Sequence, residues 1–106
     1  MNKHIIKFED ISWEKPAKGV LQKVYINDSN KMRIVRFQDD FVEAEWCLKG
    51  HAGFVLNGEM KIDFNGTIQT YKKGDGLWIE EGESSKHKVL IEKGEEVELL
   101  LFESEQ

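Results

Sequence analysis

The chain has 106 residues, a formal net charge of -5 and a pI of about 5.2. This length predicts one domain, and basic residues spread along the chain argue against a surface that binds the phosphates of nucleic acid. A single cysteine excludes an intrachain disulfide, and no apolar run approaches the ~20 residues of a membrane span. The N-terminal MNKHIIKFED also lacks the apolar stretch of a signal peptide, so we expect a cytoplasmic protein that binds neither nucleic acid nor membrane.

Short runs rich in β-branched and aromatic residues alternate with turn signals, and almost nothing is typical of a helix. The predicted strands are GVLQKVYI (19–26), KMRIVRFQ (31–38), FVEAEWCL (41–48), GFVL (53–56), EMKIDF (59–64), TIQTYK (67–72), LWIEE (77–81), KHKVLI (86–91) and VELLLF (97–102). Short strands at this regular spacing predict a sandwich or barrel.

The first eighteen residues are less regular than the rest. We therefore predict an N-terminal arm or edge strand over residues 1–18 and a barrel over residues 19–106, with HIIKF (4–8) as an extra edge or dimer strand.

Two Asn-Gly pairs, Asn57-Gly58 and Asn65-Gly66, follow alternating runs. They predict two hairpins, because type I′ turns need positive φ at both central residues and Asn followed by Gly tolerates that best. Between them, EMKIDF (59–64) alternates strictly, so its Met, Ile and Phe are predicted to share one face and its charged residues the other.

Two stretches of the second half carry glycines and a histidine at a characteristic spacing. In GHAGFVLNGEMKIDFNG, a hairpin with a Val-Leu-x-Gly core follows a candidate ligand strand. In KKGDGLWIEEGESSKHKV, Gly-Asp opens a strand, a turn with glycine follows, and a histidine begins the next strand. Together they resemble the cupin superfamily, which implies an all-β, single-domain jelly-roll β-barrel with an interior pocket for a small molecule.

Typical cupins hold a metal with two histidines one residue apart, a glutamate and a third histidine. The equivalent positions of this chain carry Glu45, Cys47, His51 and His87, and no His-x-His occurs. His87 takes its position only if the turn GESSK has two extra residues, and otherwise the position falls on Ser85. Oxygen, thiolate and imidazole donors suit zinc or iron better than magnesium or calcium. The positions equivalent to the cupin ligands therefore predict either one divalent metal of that kind or, because the usual ligand pattern is altered, a pocket without a metal.

Further candidates for the pocket lining are Glu43, Trp46, Trp78 and Ser85. Glu43 is either solvated or a general base beside the site, and the two tryptophans are either packing residues or substrate platforms.

The run FVEAEWCL (41–48) has an apolar face with Val, Ala, Trp and Leu, and an opposite face that includes Glu45 and Cys47. Simple alternation sends the glutamate face to water. A functional barrel interior would invert that arrangement, and the pattern does not choose between the two.

Three functions remain open from the sequence: a small metalloenzyme, a metal-free binding or sensing module, and a structural dimeric barrel without catalysis. Cupins include isomerases, dioxygenases, decarboxylases and binding modules, so the resemblance does not select a reaction. The apolar face of residues 41–48 predicts a homodimer in each case.

A nucleophile pair of Cys47 with His51 or His87 is conceivable, with only Glu45 to orient it. The acidic segments EEGE (80–83) and ESEQ (103–106) predict solvated surface.

Overall fold

In the computed structural model, residues 4–104 are described, and they form a curled antiparallel sheet. Its strands are β1 (Glu14–Ala17), β2 (Val20–Asn27), β3 (Asn30–Gln38), β4 (His51–Phe64), β5 (Thr67–Lys72), β6 (Gly76–Ile79), β7 (Lys88–Leu90) and β8 (Glu96–Ser104). Two 3-10 turns, Phe8–Asp10 and Glu83–Ser85, complete the described elements. No helix in this part of the chain is long and apolar enough to cross a membrane. The prediction of an all-β jelly-roll barrel in one domain is confirmed.

The longest strand, β4, holds the two halves of the sheet together. The strand order is β1-β2-β3-β8-β4-β5, with β6 and β7 also paired to β4. The first half of β4 pairs with β6 and β8, and its second half pairs with β5 and β7. Because one strand serves both halves, the sheet curls around a common interior. The buried core lining that interior consists of Val20, Val35, Val55, Met60, Ile62, Leu77, Ile79, Val97, Leu99 and Leu101.

Asn57 and Gly58 lie inside β4, so the prediction of a hairpin turn there is wrong. The pairing of β4 with β8 shifts by one residue between Val55 and Asn57, which marks a β-bulge. The bulge changes which side chains of β4 face the interior. Odd-numbered Val55 is buried before it, and even-numbered Met60 is buried after it. Gly58 supports the bulge with φ 79, a conformation that glycine adopts at little cost.

Asn65-Gly66 does form the predicted hairpin. Both residues have positive φ, at 54 and 108, and they connect β4 to β5 through the pair Phe64–Thr67. The predicted alternation of EMKIDF is also confirmed, since Met60 and Ile62 are buried.

Two other strand predictions are wrong. Residues 41–48 make no strand apart from one isolated bridge at Cys47, and HIIKF (4–8) is not a strand. The exposed edge strand is β1 instead, which pairs with β2 and contains Pro16. An edge position suits proline, because the missing N–H is not needed for a second ladder. The division of the chain at residue 19 stays a prediction.

We expect Gly58→Ala to destabilise the protein more than Gly66→Ala. Both residues have positive φ, which costs an alanine roughly 1–2 kcal/mol, but only a Cβ at Gly58 collides with a backbone atom, the Glu96 carbonyl oxygen. A Cβ at Gly66 has nothing within 4 Å. Urea unfolding followed by tryptophan fluorescence measures both, and equal losses would contradict the close approach of β4 and β8 at the bulge.

Candidate functional site

Cys47, His51 and His87 meet at the polar end of the barrel interior. Cys47 and His87 form a two-way backbone bridge, with N–O distances of 2.8 and 3.1 Å. This bridge holds the connection between β3 and β4 against the start of β7, while His51 is the first residue of β4. One ligand atom from each of the three side chains lies within 4.8 Å of the others. The Cys47 Sγ lies 3.6 Å from Nε2 of His51.

A buried carboxylate, that of Glu103, orients His51. The neighbouring pair Ala52–Phe102 sets β4 beside β8, so that His51 faces Glu103 inside the barrel. Nδ1 of His51 lies 2.6 Å from Oε2 of Glu103, and Arg33 donates to both carboxylate oxygens at 2.9 and 3.1 Å. Glu103 is only 6% exposed. With Nδ1 engaged in this way, Nε2 of His51 is the atom that faces the cysteine.

Glu103 was missed by the sequence analysis, which assigned ESEQ (103–106) to solvated surface. For Glu103 that prediction is wrong, and residues 105–106 lie outside the described part of the chain. The available signal was the period-two alternation of VELLLFE, in which Val97, Leu99 and Leu101 share the face that Glu103 continues. In the sequence, a carboxylate that follows an apolar stripe is equally typical of a residue just beyond the end of a strand.

The structure places His87, rather than Ser85, in the interior. His87 is 2% exposed, and its Nδ1 donates to the Ser85 carbonyl oxygen at 3.0 Å, which leaves Nε2 for the cluster. Its ring stands nearly perpendicular to that of His51, with centroids 5.2 Å apart. Ser85 therefore contributes its backbone carbonyl, from the 3-10 turn that precedes β7.

Hydrogen bonding within the cluster favours charged forms. The bond with His51, followed by that with His87, lowers the pKa of Cys47 to about 6. Burial opposes the charged form of His51, but its bonds to Cys47 and Glu103 prevail and raise the pKa to about 9. Burial likewise opposes the charge on Glu103, yet bonds from His51 and Arg33 lower its pKa to about 2. For His87, burial is outweighed by the bonds to Cys47 and to the Ser85 carbonyl, so its pKa is raised.

The remaining predicted site residues lie in different places. Glu45 is exposed and does not belong to the Cys47, His51, His87 group. Glu43 is half-buried and lines the interior, where its Oε1 accepts a hydrogen bond from the Val89 N–H at 2.7 Å.

The two tryptophans lie away from the interior. Trp46 is half-buried, with the amines of Lys86 and Lys88 over its ring at 5.5 and 4.7 Å from the centroid. Trp78 is 81% exposed on the outer face of the sheet. It lines an open groove at the barrel rim, which it shares with His51 and Glu103.

Beside the cluster lies an interior cavity of about 230 Å³. Its wall is mostly apolar, and its polar residues include all three members of the cluster. The lining residues are Val20, Arg33, Phe37, Phe41, Glu43, Cys47, His51, Met60, Ile62, Leu77, Ile79, His87, Val89, Leu99 and Leu101.

Solved structures share this architecture, although no protein-family model and no curated protein matches the sequence. The polyketide cyclase RemF from Streptomyces resistomycificus has a TM-score of 0.79 at 17% identity, covering 100% of this chain and 81% of that one. An RmlC-like cupin from Shewanella frigidimarina has a TM-score of 0.74 at 16% identity, over 99% and 93% of the two chains. The iron(II) form of HppE has a TM-score of 0.74 at 15% identity, over 97% and 62%. The chain therefore has the cupin fold that its sequence motifs predict.

Replacing the buried carboxylate should reduce stability in a pH-dependent way. We expect Glu103→Gln to lower the free energy of unfolding by about 3 kcal/mol at pH 7, because it removes the buried carboxylate that compensates the partly buried charges of Arg33 and His51. The folded-state pKa of about 2 lies below the ordinary value of 4.5. The carboxylate's contribution is therefore complete above pH 4.5 and is lost as the pH falls toward 2, so the difference between wild type and variant should shrink over that range.

The matched control is Glu98→Gln on the same strand. Glu98 pairs with Arg36 at 2.7 Å, but in a more exposed position, so its loss should cost less than about 1 kcal/mol. Urea unfolding at pH 7 and pH 3 measures both variants. Equal losses of unfolding free energy at pH 7 in the two variants would contradict a larger contribution of the buried Glu103 carboxylate than of the more exposed Glu98 carboxylate.

Proposed function

We propose that this protein is a small-molecule-binding cupin whose interior site holds one divalent metal through Cys47, His51 and His87. The observation that supports it is the convergence of three donor atoms within 4.8 Å at the end of an interior cavity. Of the four candidate ligands from the sequence, we retain these three, because their donor atoms lie close together. Glu45, which is exposed, is not proposed as a ligand, and Glu103 supplies the carboxylate as a partner of His51.

The donor set fits zinc or iron(II). A tetrahedral zinc with a Zn–S bond of ~2.3 Å and a Zn–N bond of ~2.0 Å separates sulfur from nitrogen by about 3.5 Å. Cys47 Sγ and His51 Nε2 are 3.6 Å apart. Metal-binding histidines also use their second nitrogen to donate to a carboxylate or carbonyl, as His51 does to Glu103 and His87 does to the Ser85 carbonyl.

Three protein ligands leave a coordination position open, so a bound metal would supply a Lewis acid for a polar group of the small molecule. The chain itself does the rest. Glu103 fixes the orientation of His51, the bridge between Cys47 and His87 fixes their spacing, and most of the adjoining cavity wall is apolar. HppE, a neighbour in fold, is described in an iron(II) form, which supports testing iron as well as zinc.

A metal-free binding module is the second candidate. One observation favours it: within residues 4–104, every buried side-chain nitrogen or oxygen already has a hydrogen-bond partner, so the buried polar groups need no metal to pair with. The low Cys47 pKa and high His51 pKa then describe an internal thiolate–imidazolium pair. In this alternative the cavity binds its ligand by shape and hydrogen bonding alone.

We further propose that the protein is a homodimer in the cytoplasm. The outer face of β6, β4 and β8 carries Trp78, Phe54 and Phe102 at 81%, 45% and 47% exposure, with Trp78 and Phe102 both opposite Ala52 in one cross-strand row. Exposed aromatic residues grouped in this way are typical of protein interfaces. The free thiol required by the site suits a reducing compartment.

Zinc binding to metal-free protein tests the proposed metal site directly. Calorimetric titration of chelator-treated protein with zinc should give about one site per chain. Cys47→Ala should weaken zinc binding at least about a hundredfold, because it removes a ligand, and Glu103→Gln should weaken it about tenfold or more, because it removes the partner of a ligand.

Glu45→Gln is the control for charge. It removes a carboxylate from the same connection as Cys47, and zinc affinity should not change. Wild-type protein that takes up neither zinc nor iron(II) would exclude the metal site and leave the metal-free module. A loss of affinity in Glu45→Gln equal to that in Cys47→Ala would return Glu45 to the ligand set.

A further inference from the structure

The cavity wall indicates what kind of molecule it can accept. Ten of the fifteen lining residues are aliphatic, aromatic or methionine, and the rings of Phe37 and Phe41 stack there with centroids 4.8 Å apart. Such a wall offers few hydrogen bonds to a sugar or another polyol. An apolar cavity of roughly 150 Å³ takes up benzene. The volume of about 230 Å³ found here therefore suits a single substituted ring or an aliphatic body of similar size.

Two cationic groups that face the cavity, Arg33 and His51, already have Glu103 as an anionic partner. Arg33 donates through Nε and Nη2 to Glu103, and through Nη1 to Gln22 at 2.9 Å. His51 lies between Glu103 and Cys47. An incoming carboxylate or phosphate would have to compete with Glu103 for either cation. Neither Arg33 nor His51 is therefore available to a negatively charged ligand without breaking its bond to Glu103.

Glu43 contributes a negative charge with no such compensation. Its Oε1 accepts from the Val89 N–H, which holds the carboxylate beside the strand that follows His87. Within residues 4–104, Glu43 forms no ion pair, and its other oxygen accepts no hydrogen bond from the protein. A carboxylate oxygen in this state favours a hydrogen-bond donor and repels an anion.

We propose that the cavity binds a small, mainly apolar molecule without negative charge, which donates a hydrogen bond from a hydroxyl or amine group to Glu43. Glu43 is then the residue that determines specificity, by attracting the donor and rejecting carboxylates of the same shape. The inference deepens the proposed function and rests on it for the presence of a ligand in the cavity. It does not require the metal, since the apolar wall and Glu43 are part of the chain.

A matched pair of probes tests this specificity in metal-free protein kept in excess chelator. 2-Phenylethanol and phenylacetate share one ring and a two-carbon chain, but only the second is an anion. By calorimetry, wild-type protein should bind 2-phenylethanol at least about thirtyfold more tightly than phenylacetate. Glu43→Gln keeps an oxygen for the Val89 N–H and should reduce that ratio about tenfold.

Glu45→Gln is again the control, since it makes the same change on an exposed residue and should keep the wild-type ratio. Binding of neither probe, or of phenylacetate as tightly as 2-phenylethanol, would overturn the inference, and so would an unchanged ratio in folded Glu43→Gln. If Glu43→Gln does not fold, the ratio of the two affinities in wild-type protein tests the inference by itself. Failure of the separate zinc titration would count only against the metal site.

Discussion

The buried carboxylate of Glu103 is the constraint on which the site depends. It lies where β8 meets β4, accepts both donors of the Arg33 fork and bonds His51 at 2.6 Å. A carboxylate with 6% exposure is stable only when its charge is compensated. The same bonds that compensate it also select which nitrogen of His51 faces Cys47. Structural stability and the geometry of the site therefore rest on one interaction.

The bulge in β4 allows that interaction to coexist with a packed core. Before the bulge, odd-numbered residues such as His51 and Val55 face inward, and after it even-numbered residues such as Met60 do so. In a regular strand of this length, every second side chain would face the interior throughout. Either His51 or Met60 would then point to solvent. The register shift places both inside one curled sheet.

The proposed chemistry follows from the separation of polar and apolar groups along the interior. Cys47, His51 and His87 form one compact cluster, while most of the adjoining wall is apolar. In such surroundings electrostatic interactions are stronger than in water, so a single carboxylate such as Glu43 can decide which ligands are accepted. The connection that carries Glu43 also carries Cys47. One irregular segment thus carries both a proposed metal ligand and the proposed determinant of specificity.

The second Asn-Gly hairpin and the buried face of EMKIDF were predictable from the sequence, because turn chemistry and strand alternation are local properties. The cupin fold was predictable through the family resemblance of two motifs that carry glycines and a histidine. So was the choice of Cys47, His51 and His87 as candidates, through their spacing in two motifs. The conformation of residues 41–48 and the bulge at Gly58 were not, because both are set by contacts with distant strands, the bridge to His87 and the close approach of Glu96.

The sequence by itself determined an all-β barrel and which side chains are able to bind a metal. Only the tertiary structure decided that Glu103, fifty-two positions from His51, replaces Glu45 as the carboxylate next to them. The physical reason is that pairing across strands is not encoded by the spacing of residues along the chain. It depends on the register between β4 and β8, and a shift of one residue there would turn Glu103 to solvent.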